Sequence, residues 1–233
     1  MEFQKLSAPS LKELFIRQIR ESILSGQVSV GTRLPPEREL ALQMQVSRAV
    51  VNSGLTELEH QGFLEIRPRQ GVFVADYGRN GNISTLNAIM EYHSETLGRA
   101  EIRSILEVRR ALEHLATDAA IENASAEDMD CLERLAANVE AAGSINQTIE
   151  AAFAFHHELA VVGSNSILPL IYISFKPVVS QLWLRYCRRY GADSLSDSTR
   201  ALAECVIARD REAARRCTDE QLDNCIYGNR QIY

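Results

Sequence analysis

Apolar residues recur at three- and four-residue spacing along most of the 233-residue chain, and a strand-like pattern appears in only one short stretch. Leu11, Leu14, Phe15, Ile19 and Ile23 outline one face of a first helix, which Gly26 ends. Leu34-Pro35-Pro36-Glu37-Arg38-Glu39-Leu40-Ala41 opens a second helix. Proline is tolerated in a first helical turn, and glutamate there suits the positive end of the helix dipole. Gln45-Val46-Ser47 cuts this helix short. Ser47 is a good N-cap for a third helix, which carries Val50, Val51, Leu55 and Leu58 and stops at Gly62. Two apolar runs follow, 63–66 and 72–74, with Arg67-Pro68-Arg69-Gln70-Gly71 between them as a hairpin tip. Residues 76–84 are rich in Gly and Asn and read as a linker. Beyond them the helical period takes over. It predicts helices over 101–122, from a Ser125-Ala126-Glu127-Asp128 capping box to about 142, and over roughly 146–162, 166–190, 195–208 and 210–227. The expected fold is mostly α. A head of three helices and a hairpin spans 1–75, a linker spans 76–84, and an all-α bundle of six or seven helices spans 85–233.

In the head, a short helix, a three-residue turn and a Ser-capped helix make a helix-turn-helix pattern, and the hairpin that follows is its wing. In that geometry the second helix enters the major groove with its N-terminal residues against base edges. Arg48, the first helical residue after Ser47, is placed to reach the groove floor, where guanidinium suits guanine O6 and N7. Asn52, one turn on, is placed for adenine or a phosphate. Arg38 starts the helix that crosses the DNA backbone, and Arg33, Arg67 and Arg69 are placed to meet phosphates.

Composition narrows the class. Apolar residues make up 45%, charged residues 24%, and there are only 6 prolines, which excludes a collagen, a disordered tail and a disulfide scaffold. No apolar run approaches the roughly 20 residues of a membrane span. The first residues, MEFQKLSAPSLKE, show no apolar export core. The five cysteines lack any CxxC spacing and read as reduced thiols, so the expected location is the cytoplasm. The net charge of −6 is unevenly placed: residues 1–75 carry +1 and residues 76–233 carry −7. An acidic body repels nucleic acid, whereas a near-neutral head can approach it if its basic groups share a face. No nucleotide loop, nucleophile elbow or paired histidines at metal spacing is present, and His93 and His114 read as ordinary helical residues. No catalytic residue is expected, and a metabolite-binding enzyme is the remote alternative.

The stretch from Gly31-Thr32-Arg33 through Pro36-Glu37-Arg38-Glu39-Leu40-Ala41 and Val46-Ser47-Arg48 to Leu58-Glu59-His60-Gln61-Gly62-Phe63-Leu64 resembles the winged helix of GntR-family transcription regulators. The wing Arg69-Gln70-Gly71-Val72-Phe73-Val74 is similar too. The resemblance implies DNA contacts at Arg38, Ser47, Arg48, position 52, Gln70 and Gly71. Position 52 is asparagine where the family usually has arginine, and Ala49 and Val50 replace the more usual threonines.

The second part resembles the FadR-type effector (FCD) domain of this family. Glu107-Val108-Arg109-Arg110-Ala111-Leu112-Glu113 is similar to its first-helix signature, and Phe155-His156 with Gly163-Ser164-Asn165 to a later segment. Many members of the group hold a metal with one Asp and three His. By the resemblance those positions here are Ala152, His156, Thr199 and Gln221, so no metal or other cofactor is expected; a metal-dependent carboxylate sensor is the alternative. Ser164-Asn165-Ser166-Ile167 with Lys176 and Tyr186, and the segment 82–89, resemble the metal-free, acyl-CoA-responsive branch of the group. The implied effector is a small organic acid or an acyl-CoA, with Arg109, His156, Asn165 and Tyr186 as candidate contacts. Arg109 reads equally as an effector clamp or as the partner of Glu113 four residues on. The whole predicts a repressor released by its effector, acting as a homodimer on a pseudo-palindromic operator of double-stranded DNA.

Overall fold

The computed structural model describes residues 9–92 and 98–232, so His93 lies outside the described residues. The chain divides into two compact units, Met1–His93 and Ser94–Tyr233.

The first unit opens with α1 (Leu11–Leu24). Ser10 and Glu13 form a reciprocal capping box, each satisfying a backbone N–H of the other. Then come α2 (Glu37–Gln43) and α3 (Arg48–His60). The Ser47 hydroxyl accepts from the Val50 amide at 3.2 Å, the cap the sequence predicts. Phe15 and Ile16 of α1 pack on Val51, Leu55 and Leu58 of α3. Gly54 makes that packing close: a Cβ there would overlap the Phe15 ring. The wing is β1 (Leu64–Arg67) paired antiparallel with β2 (Gly71–Val74), Leu64 opposite Val74 and Arg67 opposite Gly71. Residues 31–34 run along the far side of β2, with Leu34 N–H bonded to the Val72 carbonyl and Val74 N–H to the Thr32 carbonyl. The Glu59 carboxylate accepts from the Ile66 amide at 2.8 Å and ties the wing to the end of α3.

The expected linker over 76–84 needs correction. Tyr77–Asn80 form a short helix, α4, and Ile83–Tyr92 form α5, which belongs to the head unit. The reason is a tertiary cap. Asn82 Nδ2 donates to the His60 carbonyl at 2.9 Å and Thr85 Oγ1 to the Gln61 carbonyl at 2.5 Å, so the start of α5 satisfies the carbonyls that α3 leaves open. Ala88 then joins the head core.

The second unit contains α6 (Arg99–Asn123), α7 (Ala126–Glu140), α8 (Ile145–Val162), α9 (Leu168–Tyr190), α10 (Ala192–Ile207) and α11 (Arg211–Ile226). These six agree with the helical periods read from the sequence. The Ser125–Asp128 capping box opens α7. Phe155, Leu159, Leu132, Leu202 and Val206 lie in one core shared by α7, α8 and α10. Along α6 and α11, ion pairs align: Arg110 with Asp219 and Asp223, and Arg215 with Asp118. Arg209 donates to the Ile121 and Ala124 carbonyls and closes the C-terminus of α6, where a cation opposes the dipole. Among the described residues, no helix is long and apolar enough to cross a membrane.

Candidate functional site

Three arginines of the head, Arg33, Arg38 and Arg48, line one cleft. A cleft of about 350 Å³ is lined by Arg33, Arg38, Arg48 and Gly71, with Glu37 on its wall. Arg48 is the first residue of α3, with 71% of its side chain exposed. Its guanidinium lies 4.0 Å from Glu37, and Asn52 Nδ2 donates to the same carboxylate at 3.5 Å. Glu37 thus holds both groups of the recognition helix loosely; an exposed pair of this kind contributes at most about 1 kcal/mol, so a competing base or phosphate can displace it. Ser47 is committed to its capping bond. Arg33 lies across the wing: its Nε is 2.9 Å from where a Gly71 Cβ would stand, and Gly71 has φ +116°. Only glycine accepts both that backbone and that close approach. At the tip, the Gln70 amide bonds to the Arg67 carbonyl, with Pro68 leading the turn and Arg69 at φ +64°. Arg69 and Gln70 both project into solvent. Arg67, read as a phosphate contact, is held by Glu65 at 2.8 Å and lies over Phe73, so its charge is already paired.

In the second unit, a cavity of about 30 Å³ lies between α6, α8 and α9. Arg109, Glu113, His156, Tyr172 and Trp183 bring its polar groups, and the rest of its wall is aliphatic and aromatic. The Glu113 Oε1 meets His156 Nδ1 at 2.5 Å, deep in the unit, and its Oε2 is 3.9 Å from Arg109 Nε. Burial alone works to raise the Glu113 carboxyl. The His156 imidazole and, to a lesser degree, the Arg109 guanidinium outweigh it and hold the group below its ordinary value. Arg109 thus both faces Glu113 and lines the cavity, its guanidinium 4.8 Å from the centre of the Trp183 ring.

Two of the four expected effector contacts do not meet there. Asn165 is exposed, and its Oδ1 accepts from the Ile167 and Leu168 amides, so it braces the turn that leads into α9. Tyr186 is buried further along α9 and takes a hydrogen bond from Arg230 at 2.9 Å. Lys176 is paired with Glu150 at 2.7 Å. Their neighbours Tyr172 and Trp183, which the sequence reading did not single out, take their place. Three- and four-residue spacing along α9 from Tyr172 through Phe175, Val179 and Trp183 was the available signal.

The donor set does not fit a metal. His156 has its Nδ1 engaged by Glu113, Ala152 offers no donor, and Thr199 Oγ1 is bonded to the Leu195 carbonyl of its own helix. Gln221 donates to Ser198. No group of three or more His, Cys, Asp or Glu with metal-binding potential occurs among the described residues.

Comparison with known proteins agrees with this geometry in both units. The family model for bacterial regulatory proteins of the gntR family matches residues 12–74, and the model for the FCD domain matches residues 104–224. The chain is 28% identical, over 97% of its length and 84% of the relative's, to a putative HTH-type transcriptional regulator, RmpR, of Mycobacterium gastri. It is 27% identical, over 88% of its length and 81% of the relative's, to the Uxu operon transcriptional regulator of Escherichia coli K12. Among solved structures, the Lar protein of Listeria monocytogenes superposes with a TM-score of 0.64 at 15% identity, covering 96% of this chain and 98% of that one. That likeness is one of fold.

Proposed function

The chain belongs to the gntR family of bacterial regulatory proteins and carries an FCD domain, which makes it a DNA-binding transcription regulator and not an enzyme, and we propose that it is a repressor released by a small organic acid or an acyl-CoA. It works in the cytoplasm, as a homodimer, on a pseudo-palindromic operator. In the head, Arg33, Arg38, Ser47, Arg48, Asn52, Arg69, Gln70 and Gly71 carry the DNA contacts. Arg48 and Asn52 read bases, and the arginines around the cleft and at the wing tip meet phosphates. In the second unit, Arg109 and His156 serve the effector. The observation that supports the reading best is Arg109, 11% exposed, on the wall of a largely apolar cavity in a unit separate from the one whose cleft is lined by Arg33, Arg38 and Arg48. Mapping bound DNA genome-wide tests it, because the controlled genes identify the metabolite. Absence of any sequence-specific sites overturns the reading.

The homodimer follows from information content. One recognition helix reads too few base pairs to single out a promoter among a genome's competing sites. Light scattering is expected to give twice the 26.1 kDa of the chain when free, and that mass plus the duplex on DNA. A monomer in both states contradicts it.

The effector is held without a metal. Protein purified without chelator is expected to contain well under about one metal ion per chain, and a chelator to leave its melting temperature unchanged, since neutral Thr and Gln are weak ligands for imidazole-seeking ions. Stoichiometric zinc or nickel surviving dialysis shows the assignment to be wrong.

A further inference from the structure

We propose that the cleft at the C-terminal end of α9, lined by Arg185, Arg188 and Arg189, binds a compact anion carrying two adjacent phosphoryl groups. The cleft shares no lining residue with the cavity between α6, α8 and α9, so its occupant is independent of whichever effector that cavity serves.

Residues 76–233 carry a net charge of −7, and most of their cations are matched one by one. Arg103, Arg110, Arg200, Arg211 and Arg215 each face a carboxylate. The end of α9 is built differently. Arg185, Arg188 and Arg189 line one cleft of about 390 Å³, and among the described residues no carboxylate lines it. Their spacing of three and four places all three on one side of the helix, where like charges repel. The negative end of the helix dipole favours cations within the last turn. That accounts for Arg188 and Arg189 taken singly, but not for a third guanidinium one turn back that lines the same cleft. A multivalent anion seated among them removes the repulsion.

The wall of the cleft is fixed before any ligand arrives. The residues after α11 fold back on α9: Tyr190 Oη donates to the Gln231 carbonyl at 2.7 Å, and Arg230 Nη1 donates to Tyr186 Oη at 2.9 Å. Ile232, 5% exposed, follows these bonds and lines the cleft. Arg185 is half-buried, while Arg188 and Arg189 are exposed, with Arg189 over the Tyr190 ring at 5.8 Å. Little of this wall needs ordering on binding.

The chemistry of the lining decides the ligand. A guanidinium has donors alone, so the ligand supplies the acceptors and the negative charge. Ile232 accepts nothing through its side chain, so among the described residues nothing in the lining reads a base or a sugar hydroxyl. Recognition therefore falls on the anionic group itself. A planar carboxylate pairs edge-on with one guanidinium fork. Tetrahedral phosphoryl oxygens point in several directions and serve guanidinia that converge from different positions on one helix face. The volume lies within the roughly 300–1,000 Å³ of small-ligand pockets and leaves room for more than one phosphoryl group. A duplex is disfavoured, because the acidic unit around the cleft repels it.

Full-length protein is titrated by calorimetry with inorganic pyrophosphate, orthophosphate, sulfate and citrate at about 0.15 M salt, with thermal melts in parallel. Pyrophosphate is expected to bind saturably with a dissociation constant below about 1 mM and to raise the melting temperature, the other three anions binding at least about tenfold more weakly. ADP identifies the source of the phosphoryl pair: binding as tight as pyrophosphate points to the diphosphate of a larger metabolite, and weaker binding to the free ion. Arg188→Ala is expected to weaken pyrophosphate about tenfold or more, and Arg188→Ala combined with Arg189→Ala to abolish binding, both with unchanged circular dichroism and unchanged operator binding in anion-free buffer. If the double variant does not fold, Arg188→Ala carries the test. Arg48→Ala, in the head, is expected to bind pyrophosphate like the native chain. No saturable binding up to about 10 mM, citrate or sulfate binding as tightly as pyrophosphate, or native affinity in Arg188→Ala overturns the proposal. Loss of binding in Arg48→Ala places the anion in the head and overturns it as well. So does weaker retention of a scrambled duplex by Arg188→Ala, which makes nucleic acid the occupant.

Discussion

Arg48→Ala is expected to abolish specific operator binding while leaving the fold intact. The side chain stands at the first position of α3, 71% exposed, with Glu37 at 4.0 Å as its ionic partner. Removing an exposed pair of that kind changes stability by no more than about 1 kcal/mol. The helix keeps its start, because the cap belongs to Ser47. On DNA the balance reverses. A lost bidentate guanine contact costs about 1–3 kcal/mol per half-site, and two heads double it to about 2–6 kcal/mol. Retention on scrambled DNA falls far less, since the phosphate contacts of the other cleft arginines remain. Mobility shifts on the native promoter and on a scrambled duplex, with a thermal melt of the free variant, measure all three. Unchanged affinity with unchanged preference removes Arg48 from the interface.

Glu113→Ala is expected to be the most destabilising single change in the second unit. Its carboxylate is buried, bonded to His156 at 2.5 Å and faced by Arg109. Deleting one member leaves the other uncompensated in a low-dielectric interior, which typically costs about 3–5 kcal/mol. For a protein of this size that lowers the melting temperature by about 10–15 °C. The pH dependence follows from the direction of the shift. The folded carboxyl titrates below its ordinary value, so its contribution is complete above the ordinary carboxylate range and is lost as pH falls through that range to the lower folded value. Stability of the native chain therefore drops in acid, and Glu113→Gln, which has no such proton to take up, shows a shallower acid limb. Thermal melts from neutral pH to about pH 4 read both effects. A melting temperature within a degree or so of the native one for Glu113→Ala shows that the pair holds nothing together.

The helices are legible in the sequence, because their signals are local. The apolar period of α6 to α11 and the Ser47 and Ser125 caps lie within a few residues of what they specify. The helix-turn-helix of the head was legible as well, since a short helix, a turn and a capped helix admit few arrangements. The turn at Arg67–Gly71 was marked by Pro68 and Gly71.

α5 was not legible as part of the head. Its start is rich in Asn and Gly, which locally means linker. What makes it a helix of that unit is the pair of bonds from Asn82 and Thr85 to carbonyls of α3, 22 and 24 residues away in sequence. The cavity was half legible. Arg109 and His156 carried a recognisable pattern. Asn165 and Tyr186 did too, yet one braces the turn before α9 and the other anchors Arg230. Tyr172 and Trp183 carried no pattern beyond helical spacing.

The sequence by itself determined the helix-turn-helix and wing of the head and the six helices of the body. Periodicity, caps and turn residues act over one to four positions and are complete before any long-range contact forms. Only the tertiary structure decided which polar groups share the buried cavity, which of them are paired, and which have no hydrogen-bond partner among the described residues. Glu113 and His156 are 43 residues apart, and a buried donor becomes an orphan only once every neighbour in three dimensions is in place.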